Sequence, residues 1–89
     1  MDSKIIKDKT RTFIREKTKQ PDLADGEDYF QKGFVNSLFA MQLVLFVEKE
    51  FQMQVGDEDL TIENFNSINA ICSLVERKQA RAGKPQALP

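Results

Sequence analysis

Histidine is absent from the 89 residues. The usual general base, the usual activator of a serine or cysteine nucleophile and the commonest metal ligand are therefore missing, so no catalysis by the chain itself is expected. A single cysteine, Cys72, excludes an internal disulfide. No apolar run follows Met1-Asp2-Ser3-Lys4, or occurs elsewhere, at the length of a signal peptide or a membrane span. A cytoplasmic protein without a membrane partner is the expectation. Thirty per cent charged residues with a net charge of -1 argue against a nucleic-acid binder. No internal repeat is visible.

What is present is enough for one small domain: 40% apolar residues over this length bury a single modest core and leave no room for a cleft between domains. The charge is unevenly placed. Residues 1 to 20 carry seven Lys/Arg against three Asp/Glu, and residues 64 to 89 carry four against one, so the two ends total +7. Residues 21 to 63 hold ten acids with only Lys32 and Lys49, which makes the middle -8. Such an acidic middle is expected to steer basic partners toward it, less so as salt rises.

The stretch from Gly33 to Phe51 organises the rest. Asn36 and Ser37 favour helix N-caps, and the residues after them are good helix formers without Gly or Pro. At 100° per residue, Ala40, Leu43, Val44, Val47 and Phe51 share one arc, which predicts the face turned to the core, with Phe39 and Phe46 flanking it. Leu38, Met41 and Leu45 fall on the opposite side. A small soluble chain seldom leaves such a stripe in water, so this second face is read as a binding surface or as cover for a loop.

Before that helix, Asp2 or Ser3 caps a first amphipathic helix carrying Ile5, Ile6, Thr10, Phe13 and Ile14 to about Lys17, with Lys and Arg on its other side. Pro21 stops it at the latest. Residues 18 to 36 form a long connection that Leu23, Tyr29, Phe30, Phe34 and Val35 can tie down. The acids from Asp22 to Asp28 do not have the spacing of a calcium loop.

After the central helix, Met53 and Val55 alternate with Gln52 and Gln54, predicting a short extended return that Gly56 ends. Asp57-Glu58-Asp59 then places charge before a single-turn helix over 60–65, whose positive end it would stabilise. Ser67 caps a last helix with Ile68, Ile71, Cys72 and Val75 on one stripe, ending at Glu76-Arg77-Lys78. Cys72 reads as a buried, inert thiol. Residues 1–78 make the folded domain, and 79–89 are expected to be a disordered tail. The fold class predicted is all-α: a small four-helix bundle of three main helices plus one short helix, with a long first loop.

Ser37 cannot be a triad nucleophile, because no histidine exists to take its proton. With Asn36 able to cap, the Ser37 hydroxyl is free to be a substrate. A phosphodiester placed there would be stabilised by the helix N-terminus.

Gly33-Phe34-Val35-Asn36-Ser37-Leu38 resembles the phosphopantetheine attachment motif of acyl and peptidyl carrier proteins. The resemblance extends from the first helix to Leu74, including Glu48-Lys49-Glu50-Phe51 and the stretch Leu60 to Ile68. It implies that Ser37 carries a covalent phosphopantetheine arm whose thiol holds the cargo as a thioester. It also implies that Asn36, Leu38, Met41, Leu45 and Glu48 form the partner surface, and that the chain is an acyl-carrier-like monomer which catalyses nothing.

The partners implied are a phosphopantetheinyl transferase, acyl- or aminoacyl-loading and cargo-modifying enzymes, and synthase acyltransferase domains. The chain departs from the family at Asn36, where Asp is usual, so one carboxylate facing the transferase is missing. Ser37-Leu38-Phe39-Ala40-Met41-Gln42-Leu43-Val44 is similar to discrete carriers of malonyl-type units in polyketide or hybrid nonribosomal peptide pathways, including antibiotic biosynthesis. The alternatives are an unmodified helical adaptor using Met41 and Leu45, or a carrier for fatty-acid or D-alanine transfer.

Overall fold

Asp2 starts the first helix: its carboxylate accepts the Lys4 backbone N–H at 3.4 Å, and α1 runs Ser3–Thr18. Lys19 ends it in the left-handed region at φ 57°, ahead of Pro21, with its N–H donated back to the Arg15 and Glu16 carbonyls. The structure, a computed structural model, describes residues 2–33 and 35–83, with side chains through residue 80. The chain continues with α2 (Ser37–Glu50), a 3-10 turn (Asp57–Asp59), α3 (Ile62–Phe65) and α4 (Ile68–Gly83). The all-α bundle of three main helices and one short one is what the apolar periodicity predicts.

Ile6, Ile14, Leu43, Val47, Ile68, Ile71, Leu74 and Val75 close the core, each with essentially no exposed surface. Burying each of these side chains contributes about 1.5–3 kcal/mol. α1 lies directly on α4, and so does α3. α2 is held to α1 by rings: Phe13 stacks on Phe46 with centroids 4.1 Å apart, and on Phe39 at 6.4 Å.

The buried arc of α2 is Phe39, Leu43 and Val47, so it is turned toward Phe39 from the expected position. Ala40 and Val44 are only half-buried. The cause is the company on that side: besides Phe13, the Tyr29 ring meets Phe39 edge-on at 5.9 Å. Ile5 of α1 is exposed rather than in the core.

The long loop is tied as its apolar residues predict. Leu23 and Tyr29 are buried, and Phe30 and Val35 are half-buried against the core; Phe34 lies outside the described residues. Polar ties add to this. Tyr29 donates its hydroxyl to the Phe65 carbonyl, the Tyr29 N–H bonds Asn66 O at 3.2 Å, and the Asn69 N–H bonds Asp25 O at 2.9 Å. From α1, Arg15 donates twice to Leu23 O, at 3.0 and 2.8 Å, and Arg11 grips the Asp25 carboxylate at 2.9 and 2.7 Å.

Beyond α2, Gln52 takes a left-handed φ of 51° and reverses the chain. Met53 and Val55 then pack half-buried on the core. Asp57-Glu58-Asp59 is not a charged cap on the next helix: it forms its own 3-10 turn, and α3 begins at Ile62 instead of Leu60. The reason is Asp59, buried with one oxygen accepting both the Gly56 N–H at 3.1 Å and the Lys78 ammonium at 2.7 Å. This ties the turn to α4.

Ser67 Oγ accepts the Ala70 N–H at 3.0 Å, as expected of the cap of α4. The helix does not stop at Lys78 but continues to Gly83. Gln79, Ala80, Arg81 and Ala82 are all strong helix formers, and the first glycine after them is Gly83. Residues 79–83 of the expected tail are thus helical, and 84–89 lie outside the described residues.

Candidate functional site

Asn36, in extended conformation, presents its side-chain Oδ1 to the Phe39 N–H at 3.0 Å, and its carbonyl accepts the Ala40 N–H at 3.1 Å. It is the N-cap of α2. Ser37 is the first helical residue and is exposed, so its hydroxyl is not needed to close the helix. The preceding turn depends on Gly33, whose φ of 79° favours glycine; a Cβ there would meet no neighbour, so the requirement is conformational and not steric.

Leu38, Met41 and Leu45 project into solvent with 64%, 66% and 62% of their surface exposed. The face expected from spacing is therefore present and begins at the residue after Ser37. Leu60, just before α3, and Ile62 at its start are exposed too. Between these helices Ala40, Val44, Leu60, Ile62 and Phe65 line a small apolar cavity of about 210 Å³. Leu60 and Ile62 were not among the residues expected from the sequence. Their hydrophobicity was the available signal, but it was absorbed into the short helix.

Glu48 is placed differently from the rest of the expected partner surface. Its Oε2 accepts the Val55 N–H at 2.9 Å and its backbone carbonyl accepts the Met53 N–H at 3.1 Å. The side chain thus holds the return after α2.

The acids of residues 21–63 do not form an unbroken field around Ser37. Asp25 pairs with Arg11, Glu27 with Lys32, Glu50 with Lys9 and Asp59 with Lys78. Asp28 accepts the Gln31 N–H at 2.9 Å. The hydrogen bond from Arg11 is the main reason the Asp25 carboxyl is held below the usual carboxylate range, with Lys7 and Arg15 adding to it. Glu27 is shifted the same way, first by the Ala24 N–H and then by Lys32. On the other side of the α2 N-terminus lies a cation: Lys17 joins Gly33, Val35, Asn36, Leu38 and Gln42 around a cleft of about 370 Å³.

Cys72 is buried, with its sulfur 3.7 Å from Ser3 Oγ. Among the described residues, no group of three or more acidic or cysteine side chains is assembled that could hold a metal ion, and no helix is long and apolar enough to cross a membrane. No model of a known protein family matches the chain, and no curated protein matches it.

Proposed function

We propose that this chain is an acyl carrier that accepts a phosphopantetheine arm on Ser37. The observation that carries the reading is the division of labour at the start of α2. Asn36 closes the helix, which leaves an exposed hydroxyl on Ser37 beside an exposed apolar face. The residues present fit the group: the hydroxyl opens to solvent, and the first-turn amides and helix dipole favour the negative charge of a phosphodiester. When bound, the arm supplies a thiol that holds an acyl unit as a thioester. Leu38, Met41 and Leu45 dock the enzymes that load and use it. The chain itself positions cargo and performs no bond chemistry. A small malonyl-type unit for polyketide or hybrid peptide assembly is the cargo proposed, from the resemblance of residues 37–44.

Native thiol labelling tests this. Cys72 is 4% exposed, so it should react slowly in the folded chain. After incubation with coenzyme A, magnesium and a phosphopantetheinyl transferase, one fast-reacting thiol is expected in the wild type and none in Ser37→Ala. An adaptor that uses the same helix face without modification gains no thiol in either.

A further inference from the structure

A groove runs between α1 and α2, away from α3. It begins at the cleft beside Asn36, continues as a trough of about 340 Å³ lined by Phe13, Lys17, Gln42, Leu45, Phe46 and Lys49, and reaches Asp8, Glu16 and Glu50 at its far end. Lys17 and Gln42 are shared between the first two sections, and Phe13 and Phe46 between the last two. The floor is apolar: the Phe13 and Phe46 rings lie 14° from parallel, and Leu45 stands 62% exposed at the edge.

The charges along it are ordered. Lys17 and Lys49 flank the aromatic floor. The Lys17 ammonium sits 5.8 Å from the Phe13 ring centre, and among the described residues neither lysine has an ion-pair partner. Of the acids nearest to them in sequence, Glu16 lines the far end of the groove, whereas Glu48 and Glu50 are engaged. Glu48 bonds the Val55 N–H, and Glu50 pairs with Lys9 at 2.8 Å. The middle section thus presents Lys17 and Lys49, while the far end sets Lys9 against Asp8, Glu16 and Glu50. Two unpaired ammonium groups over exposed aromatic and aliphatic surface are the complement of carboxylates flanking apolar side chains.

We infer that the α1–α2 groove docks an acidic amphipathic segment of a partner protein, its apolar residues on Phe13, Phe46 and Leu45 and its carboxylates on Lys17 and Lys49. A nucleic acid is disfavoured by the same ordering: two cations neutralise few phosphates, and Asp8 and Glu16 at the far end repel a continuous polyanion. The surface lies on the opposite flank of α2 from the α3 cavity. It is independent of whether Ser37 carries a group, so it stands or falls apart from the carrier reading. The partner favoured here is acidic, unlike the basic partners expected to be drawn to the acidic middle of the chain.

The probe is a helical peptide with leucines on one face flanked by glutamates, titrated into the unmodified full chain labelled for amide NMR. Its lysine-for-glutamate counterpart and single-stranded oligothymidylate are run beside it. The acidic peptide is expected to shift Phe13, Lys17, Gln42, Phe46 and Lys49, with affinity falling at high salt. Binding should weaken by about tenfold in Lys17→Glu/Lys49→Glu, and by less in Lys17→Gln/Lys49→Gln. Equal binding of the lysine peptide, shifts confined to Ala40, Val44 and Ile62, unchanged affinity in the charge-reversed variant, or tighter binding of the oligonucleotide would each overturn the assignment.

Discussion

The Asn36 carboxamide accepts the Phe39 backbone N–H at 3.0 Å, and that one bond relieves Ser37 of the capping role. A cap removed at Asn36 is felt by the fold, whereas a hydroxyl removed at Ser37 is not. Asn36→Ala should cost about 1 kcal/mol in urea denaturation, Asn36→Asp should be near neutral, and Ser37→Ala should change stability by less than about 0.5 kcal/mol. A larger loss in Ser37→Ala than in Asn36→Ala would make Ser37 the cap.

Val47 and Leu45 are near neighbours with opposite environments: Val47 has no exposed surface, and Leu45 is 62% exposed. Val47→Ala should lower stability by about 1–3 kcal/mol. Leu45→Ala should stay within about 0.5 kcal/mol of the wild type while slowing cargo transfer by partner enzymes. Melting curves and transfer assays on the two variants check both halves.

Tyr29 joins the loop to α3 through its hydroxyl bond to Phe65 O. Tyr29→Phe leaves that buried carbonyl without its donor and should cost about 1–3 kcal/mol. Burial also raises the phenol well above its ordinary range. The folded state then holds its proton where the unfolded chain has lost it. Stability from this group is complete below the unfolded value of about 10 and falls as pH rises beyond it. Alkaline denaturation of the wild type should be steeper than that of Tyr29→Phe.

Asp25 behaves in the opposite sense. Its folded carboxyl is held low by the bidentate Arg11 contact, so its contribution is present above the unfolded value of about 3.9 and is lost as pH falls through the lower folded one. Asp25→Asn should be less stable than the wild type by about 1 kcal/mol at pH near 7. The difference should shrink in acid, which urea curves at the two pH values would report.

Thr10 is fully buried, and among the described residues its hydroxyl has no hydrogen-bond partner. Thr10→Val keeps the shape and removes the desolvated oxygen, so it should stabilise the chain by about 1 kcal/mol. Destabilisation of that size would mean that the hydroxyl is satisfied in solution.

The helices were legible because their apolar residues repeat at 3.6, and because Asp2, Asn36 and Ser67 are capping residues placed where caps are needed. The outward set Leu38, Met41 and Leu45 followed from the same geometry. What was not legible depends on partners distant in the chain. Nothing local marks Arg11 and Arg15 as loop clamps, since Asp25 and Leu23 O reach them only once the loop is folded. Asp57-Glu58-Asp59 has the composition of a solvated cap, yet Lys78, 19 residues on, draws Asp59 inward. Phe39 was placed at the margin of the core because period alone does not show that Phe13 and Tyr29 wait on that side. At the site, Ser37 and its cap were legible, whereas the turn of Glu48 toward Val55 and the cationic rim of Lys17 and Lys49 required the packed helices.

Attachment of a phosphopantetheine arm at Ser37 would add a defined mass to the chain at one residue. The direct measurement is the intact mass of the chain after exposure to coenzyme A, magnesium and a phosphopantetheinyl transferase, for the wild type and for Ser37→Ala shown to be folded by circular dichroism. The wild type should gain the mass of one phosphopantetheinyl group, located on Ser37 by fragmentation, and Ser37→Ala should gain nothing. No gain by the wild type, under conditions in which a known carrier is fully modified, or an equal gain by Ser37→Ala, would contradict the account.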